Sequence, residues 1–122
     1  MHFLPVRAFC FLIFFHFYLA RRNFAGLYER VKSFPVRPRS SSTIEEICRA
    51  VDVACIWYPS EVLCLQRAAS TACLLKLCGF RAEMVLGARL MPFKAHAWVE
   101  AAGKVVNDKS YVREIYSVLN RC

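Results

Sequence analysis

The spacing of hydrophobic positions changes near residue 79, and this change predicts helices before it and strands after it. Between residues 43 and 79, apolar side chains recur every three or four positions, the period of a helix that buries one face. The two stripes are Ile44, Ile47, Val51, Ala54 and Tyr58, then Leu65, Ala68, Ala72 and Leu75. After residue 79 the apolar runs are short, which is typical of β-strands. We therefore expect an α+β domain in which helices precede a small antiparallel sheet.

Local signals set the expected helix ends. Thr43–Glu46 has the pattern of a capping box, and Pro59 stops the first helix. Ser60 is the expected N-cap of the second helix, which places Cys64 in its first turn, and Gly79 follows its C-terminus. The unpaired amides and positive dipole end of a helix start favour a thiolate over a thiol. Cys64 is therefore a candidate nucleophile.

The strand segments are expected at residues 82–88, 94–100 and 104–108, with the second and third forming a hairpin. If Ala101–Gly103 is a three-residue loop with Gly103 in the left-handed region, His96 faces Asp108. If the loop is instead Ala101–Ala102, Asn107 faces His96. The position of the glycine favours Asp108.

The N-terminal third is apolar and basic. Its apolar run over residues 8–20 is shorter than the roughly 20 residues that span a bilayer. We expect residues 1–32 to form a helical lead-in docked on the core, 33–42 a linker rich in proline and serine, and 43–122 the main domain. Peripheral membrane contact and a signal sequence are the alternatives for the lead-in, and Tyr18–Ala20 is a poor cleavage site.

Charge and cysteine content narrow the class of protein. The net charge of +8 suits nucleic acid, an anionic membrane or an acidic peptide, but the chain has no RNA-binding aromatic motif and no basic run of five. We therefore expect no nucleic-acid partner. Seven cysteines without a C-x-x-C pair indicate neither a metal site nor a redox motif, and they favour free thiols in a reducing cytoplasm. We expect no metal and no cofactor.

The candidate chemistry is acyl transfer through a thioester. Cys64 on a helix, His96 on a strand and Asp108 on the next strand supply a nucleophile, a base and an orienting carboxylate. Taken singly, each has a structural explanation, whereas their order together indicates a catalytic set. Three further residues are candidates for oxyanion stabilisation, substrate contact or structural support: Gln66, Arg67 and Trp98.

The sequence also resembles the transglutaminase-like leader peptidases of lasso-peptide biosynthesis, in their stand-alone split form. The resemblance lies in Pro59–Arg67, Leu74–Gly79, Gly87, Phe93–Glu100 and Gly103–Asp108. It implies a papain-like, transglutaminase-like α+β fold with a triad at Cys64, His96 and Asp108.

The resemblance further implies a bacterial cytoplasmic cysteine peptidase that removes the leader from a ribosomally made precursor. The stretch before Cys64 is too short for the leader-binding domain that some family members carry, so we expect a separate small leader-binding protein. An ATP-using, asparagine-synthetase-like cyclase is the other expected partner. Two alternatives stay open: an acyltransferase that uses an amine acceptor, and a non-catalytic scaffold that binds precursor.

Overall fold

Four helices precede the first strand of the sheet, in the order that the apolar spacing predicts. In the computed structural model, which describes residues 3–122, the helices are α1 (Leu4–Ala20), α2 (Phe24–Ser33), α3 (Ile44–Trp57), α4 (Cys64–Leu77) and the short α5 (Val112–Ile115). The strands are β1 (Ala82–Leu90), β2 (Phe93–Ala101), β3 (Lys104–Val105) and β4 (Ser117–Arg121). The strands form one antiparallel sheet in the order β3-β2-β1-β4.

The edge strand β4 and the helix α5 were not predicted from the sequence. All five residues of β4 are exposed, so no buried alternation marks the strand. Its place is set by pairing with β1, where the register shifts between Leu86 and Gly87. This tertiary pairing returns the end of the chain to the sheet.

α4 is the central helix of the molecule. It packs against α1 and α3 on one side and against β1 and β2 on the other. Its small buried residues Ala68, Ala69 and Ala72 let these neighbours approach closely. Because the rest of the helix is enclosed, its N-terminal residue Cys64 is held at a fixed place beside the sheet.

The ends of α3 and α4 follow the sequence signals with one correction. The Thr43 hydroxyl accepts from the Glu46 N–H at 3.1 Å, and the Glu46 carboxylate accepts from the Thr43 N–H at 2.8 Å, which confirms the capping box. Gly79 follows α4 with φ of 96°, in the left-handed region. Its Cα lies so close to the Arg39 backbone that a side chain there would clash.

The prediction that Ser60 caps the second helix is wrong. α4 begins at Cys64 with Leu63 as its N-cap residue, and the Leu63 N–H donates to Gln66 Oε1 at 3.4 Å. A glutamine three residues into a helix can accept from the N-cap amide, and here it marks the helix start in place of a capping serine. Cys64 is consequently the first residue of α4.

The N-terminal lead-in is two helices joined at Asn23, whose side chain accepts from the Gly26 N–H at 3.0 Å. α1 buries Leu12 and Phe15 in the same core as α3 and α4. The segment predicted as a linker contains no helix beyond Ser33 and no strand, and it lies along the end of α4 through N–H groups of Arg37 and Ser40 that donate to carbonyls of that helix end. Among the described residues, no helix is both long and apolar enough to cross a membrane.

Candidate active site

The β2–β3 hairpin has a different turn from either register considered above. Ala102 and Gly103 form a two-residue turn with φ of 53° and 74°, and Ala101 pairs with Lys104. Two successive positive φ angles are those of a type I′ turn, whose twist matches that of the flanking strands. Gly103 is left-handed as expected, but Ala102 is left-handed too, so both predicted loops are wrong.

Asp108 nevertheless contacts His96, because the chain leaves the sheet after Val105. The Val106 N–H donates to the Val99 carbonyl at 3.0 Å, and Asn107 Oδ1 accepts from the Val99 N–H at 2.7 Å. The next residue then turns toward the imidazole, and Asp108 Oδ2 meets His96 Nε2. Asn107 therefore fixes the bend, while Asp108 provides the carboxylate.

The environment of Asp108 favours its ionised form. Burial alone raises the pKa of this carboxyl, but hydrogen bonds from His96 and from the Lys109 N–H, with the charges of His96 and Arg67, lower the pKa below its usual value. The His96 and Asp108 side chains are only 23% and 22% exposed, so water screens the contact weakly. An ionised Asp108 accepts a hydrogen bond from Nε2–H of His96. The other ring nitrogen, Nδ1, is then the one that can accept a proton.

Cys64 and His96 line the same cavity, of about 220 Å³. The cavity walls are mostly apolar: Tyr28, Leu65, Leu86, Gly87, Ala95, Ala97 and Leu119. His96 also lines a second cavity of about 210 Å³, on the side of Asp108. His96 therefore lines both the cavity that Cys64 lines and the one that Asp108 lines.

The start of α4 places unpaired backbone donors beside the Cys64 thiol. The first hydrogen bond of the helix runs from the Arg67 N–H to the Leu63 carbonyl, at 2.9 Å. The amides of residues 64–66 precede it and have no acceptor within the helix. Such donors, with the positive end of the helix dipole, suit a thiolate or an oxyanion.

The seven cysteines are all free, and they differ in exposure. Cys64 and Cys10 are exposed, whereas the other five are partly or fully buried. Burial raises the pKa of Cys48 to about 11 and that of Cys73 to about 12. Those two thiols are therefore protonated and unreactive at neutral pH.

The three further candidates all make structural contacts. Gln66 is 2% exposed, and its Nε2 donates to the Leu12 carbonyl of α1 at 2.8 Å, so its amide joins α4 to α1. Arg67 forms an ion pair with Asp52 of α3. Trp98 is fully buried, with its ring centroid 6.1 Å from that of His96.

Sequence reasoning did not identify Tyr116, which packs on His96, or Glu100, which binds Trp98. The Tyr116 ring lies 5.3 Å from the His96 ring, and it arrives from the unpredicted end of the chain, so no local signal could have identified it. The sequence did contain a local indication of Glu100, because a carboxylate two residues beyond Trp98 lies on a predicted strand.

Within residues 3–122, no group of three or more histidine, cysteine or acidic side chains is placed to hold a metal ion.

The α+β fold, with its helices ahead of an antiparallel sheet and its thiol at a helix start, is papain-like. The family model of the transglutaminase-like superfamily matches residues 11–121, and the chain belongs to this superfamily.

One curated protein is similar to part of the chain. The Microcin J25-processing protein McjB of Escherichia coli is 45% identical over 38 residues, which are 31% of this chain and 18% of McjB. The chain therefore aligns with less than a fifth of that relative. No solved structure matches the chain.

Proposed function

We propose that the protein is a cysteine peptidase that removes the leader from a lasso-peptide precursor. The observation that carries the proposal is the arrangement of Cys64 and His96 on one cavity while Asp108 binds Nε2 of the same imidazole. Membership in the transglutaminase-like superfamily and the similarity to a microcin J25-processing protein support the same class of reaction.

The first half of the reaction forms a thioester. His96 Nδ1 accepts the Cys64 proton, and the sulfur attacks the carbonyl carbon of the last leader residue. Asp108 holds the imidazole tautomer and stabilises the imidazolium that forms. The amides at the start of α4 donate to the oxyanion of the tetrahedral intermediate. The carbon–nitrogen bond then breaks, and His96 returns its proton to the departing amine of the core peptide.

The second half hydrolyses the thioester. A water molecule gives a proton to His96 and attacks the same carbonyl, the carbon–sulfur bond breaks, and the leader departs with a new carboxylate. Cys64 recovers its proton from His96. This chemistry uses the three side chains, the backbone amides at the start of α4 and water.

The partners follow from the chemistry proposed. A small leader-binding protein delivers the precursor, and the released core amine becomes the nucleophile for an asparagine-synthetase-like cyclase that uses ATP. The reaction takes place in the cytoplasm, where the precursor is made. Gln66, Arg67 and Trp98 support the catalytic residues without touching substrate.

Mass spectrometry of a lasso-peptide precursor, incubated with this protein with and without a leader-binding protein, tests the proposal. We expect one cut, between leader and core. The Cys64→Ala variant should lose cleavage, whereas Cys10→Ala, the matched change at the other exposed thiol, should cleave at the wild-type rate. Cleavage that persists in Cys64→Ala, or no cleavage by the wild-type protein under either condition, contradicts the proposal.

The same assay with added primary amines separates hydrolysis from transfer. A hydrolase yields the free leader acid in the presence of the amine, and in ¹⁸O-labelled water the leader carboxylate gains one label. A leader joined to the amine as the main product would instead identify an acyltransferase.

A further inference from the structure

Glu100 is a buried carboxylate on the strand that carries His96. It is 8% exposed, and it shares one face of β2 with His96 and Trp98, because alternate residues of a strand point to the same side. A buried carboxylate is costly unless it is fully hydrogen-bonded. The hydrogen-bond partners of Glu100 therefore indicate which parts of the structure it holds in place.

Three donors from three elements converge on this carboxylate. Trp98 Nε1 donates to Oε2 at 2.9 Å, Arg113 Nε of α5 to Oε2 at 2.8 Å, and Arg121 Nη1 of β4 to Oε1 at 2.7 Å. Burial raises the pKa of Glu100, but the hydrogen bonds from these partners outweigh it and lower the pKa below its usual value. Glu100 is therefore ionised at neutral pH and joins β2, β4 and α5.

The first path from Glu100 to the site passes through Trp98. The single N–H of the indole is bound to Glu100, which fixes the plane of the ring. The Trp98 ring lies 6.1 Å from the rings of both His96 and Tyr116, and Tyr116 lies 5.3 Å from His96. A methyl group added at Gly87 would lie 2.7 Å from the Trp98 ring, so the indole packs closely over the Gly87 backbone in the space that a larger residue would fill.

The second path passes through Arg113. While its Nε contacts Glu100, its Nη2 donates to the Gly103 carbonyl at 2.9 Å. Gly103 lies before Asp108 in the chain, and Arg113 lies after it. The segment that carries Asp108 is therefore tied at both ends to the same carboxylate.

We infer that Glu100 is a positioning residue for the His96–Asp108 pair: it fixes the aromatic wall beside the imidazole and closes the segment that presents the carboxylate. The inference rests on the proposed function, in which that pair serves Cys64. Displacing catalytic groups by about 1 Å costs on the order of 100-fold in rate, so a loss of this support is measurable.

The test compares Glu100→Gln with Glu83→Gln. The matched control removes another carboxylate that Arg121 reaches, at 3.5 Å, whereas the hydrogen bonds of Trp98 Nε1 and Arg113 Nε go to Glu100. We expect Glu100→Gln to lower kcat about tenfold to 100-fold with little change in KM. It should also move the midpoint of the pH profile of Cys64 alkylation upward, because a looser pair stabilises the charged imidazole less. Glu83→Gln should change neither quantity.

A second variant keeps the test decisive if Glu100→Gln does not fold. Trp98→Phe keeps an aromatic ring at this position but removes the donor to Glu100, and it should shift both quantities in the same direction by a smaller factor. A folded Glu100→Gln protein with wild-type kcat, or with an unchanged alkylation profile, overturns the inference, as does an unchanged Trp98→Phe protein.

The alkylation profile needs no precursor. If the wild-type protein fails to cleave any precursor, the proposed function fails, while the effect of Glu100→Gln on the thiol still decides the inference.

Discussion

His96 is the residue at which the two sides of the candidate site meet. Its Nε2 contacts Asp108, and the ring also lines the cavity that holds Cys64. The sequence could predict the three residue types and their order, because thiol, imidazole and carboxylate each lie in a recognisable local segment. It could not predict the packing of Tyr116 on the ring, because that contact forms only when the chain end returns to the sheet.

The ionisation of Asp108 predicts a pH dependence of stability. Its pKa is lower in the folded protein than the roughly 3.9 of an unfolded aspartate. The ionised group therefore stabilises the fold fully above the unfolded value, and this contribution is lost as the pH falls through the lowered folded value. Asp108→Asn lacks the contribution at every pH.

Urea denaturation of wild type and Asp108→Asn between pH 7 and pH 3 measures this effect. We expect the difference in the free energy of unfolding between the two proteins to be largest near neutral pH and to shrink below about pH 4. A difference that stays constant or grows as the pH falls would show that the folded state does not favour the ionised carboxyl.

Among the secondary-structure elements, the β2–β3 turn has one left-handed residue that the sequence predicts and one that it does not. Glycine at position 103 indicated a left-handed residue, and the structure places it at φ of 74°. Ala102 gave no such signal, since alanine rarely adopts the left-handed region. Its φ of 53° is imposed by the pairing of the strands, which the local sequence does not encode.

Substitution at the turn tests this assignment. No atom lies within 4 Å of a Cβ built on Gly103, so Gly103→Ala adds backbone strain without a clash. We expect it to lower the free energy of unfolding by about 1 to 2 kcal/mol, measured by thermal or urea denaturation. Ala102→Gly should change stability in the opposite direction. Equal stability of wild type and Gly103→Ala would contradict a left-handed residue at this position.

The position of Cys64 at the start of α4 was predicted correctly, but the residue expected to cap the helix was not. The expected cap at Ser60 placed Cys64 in the first turn of the helix, and the structure makes it the first residue. The assumed cap, Ser60, has no part in the helix, and the Gln66 side chain accepts from the N-cap amide instead. Gln66 is held there by α1, so the contact depends on long-range packing.

For the whole molecule, helical period, strand period and caps were enough to predict an α+β domain in which helices precede a small antiparallel sheet and Cys64 lies in the first turn of a helix. These signals are local, and each depends on a few neighbouring residues. The parts that could not be predicted, β4 and α5, are short and largely exposed, and they are fixed by β1 and Glu100. The same long-range contacts bring Tyr116 to the site and tie the Asp108 segment to the sheet.

The proposed function depends most on Cys64, His96 and Asp108 acting as one catalytic unit. The single-turnover rate of precursor cleavage, compared among wild type, Cys64→Ala, His96→Ala, Asp108→Asn and the triple variant, tests this directly. We expect each single change to lower the rate by at least roughly 10³-fold, and the triple variant to be no slower than Cys64→Ala alone. Cleavage by Cys64→Ala at the wild-type rate, or losses that multiply in the triple variant, would contradict a shared mechanism.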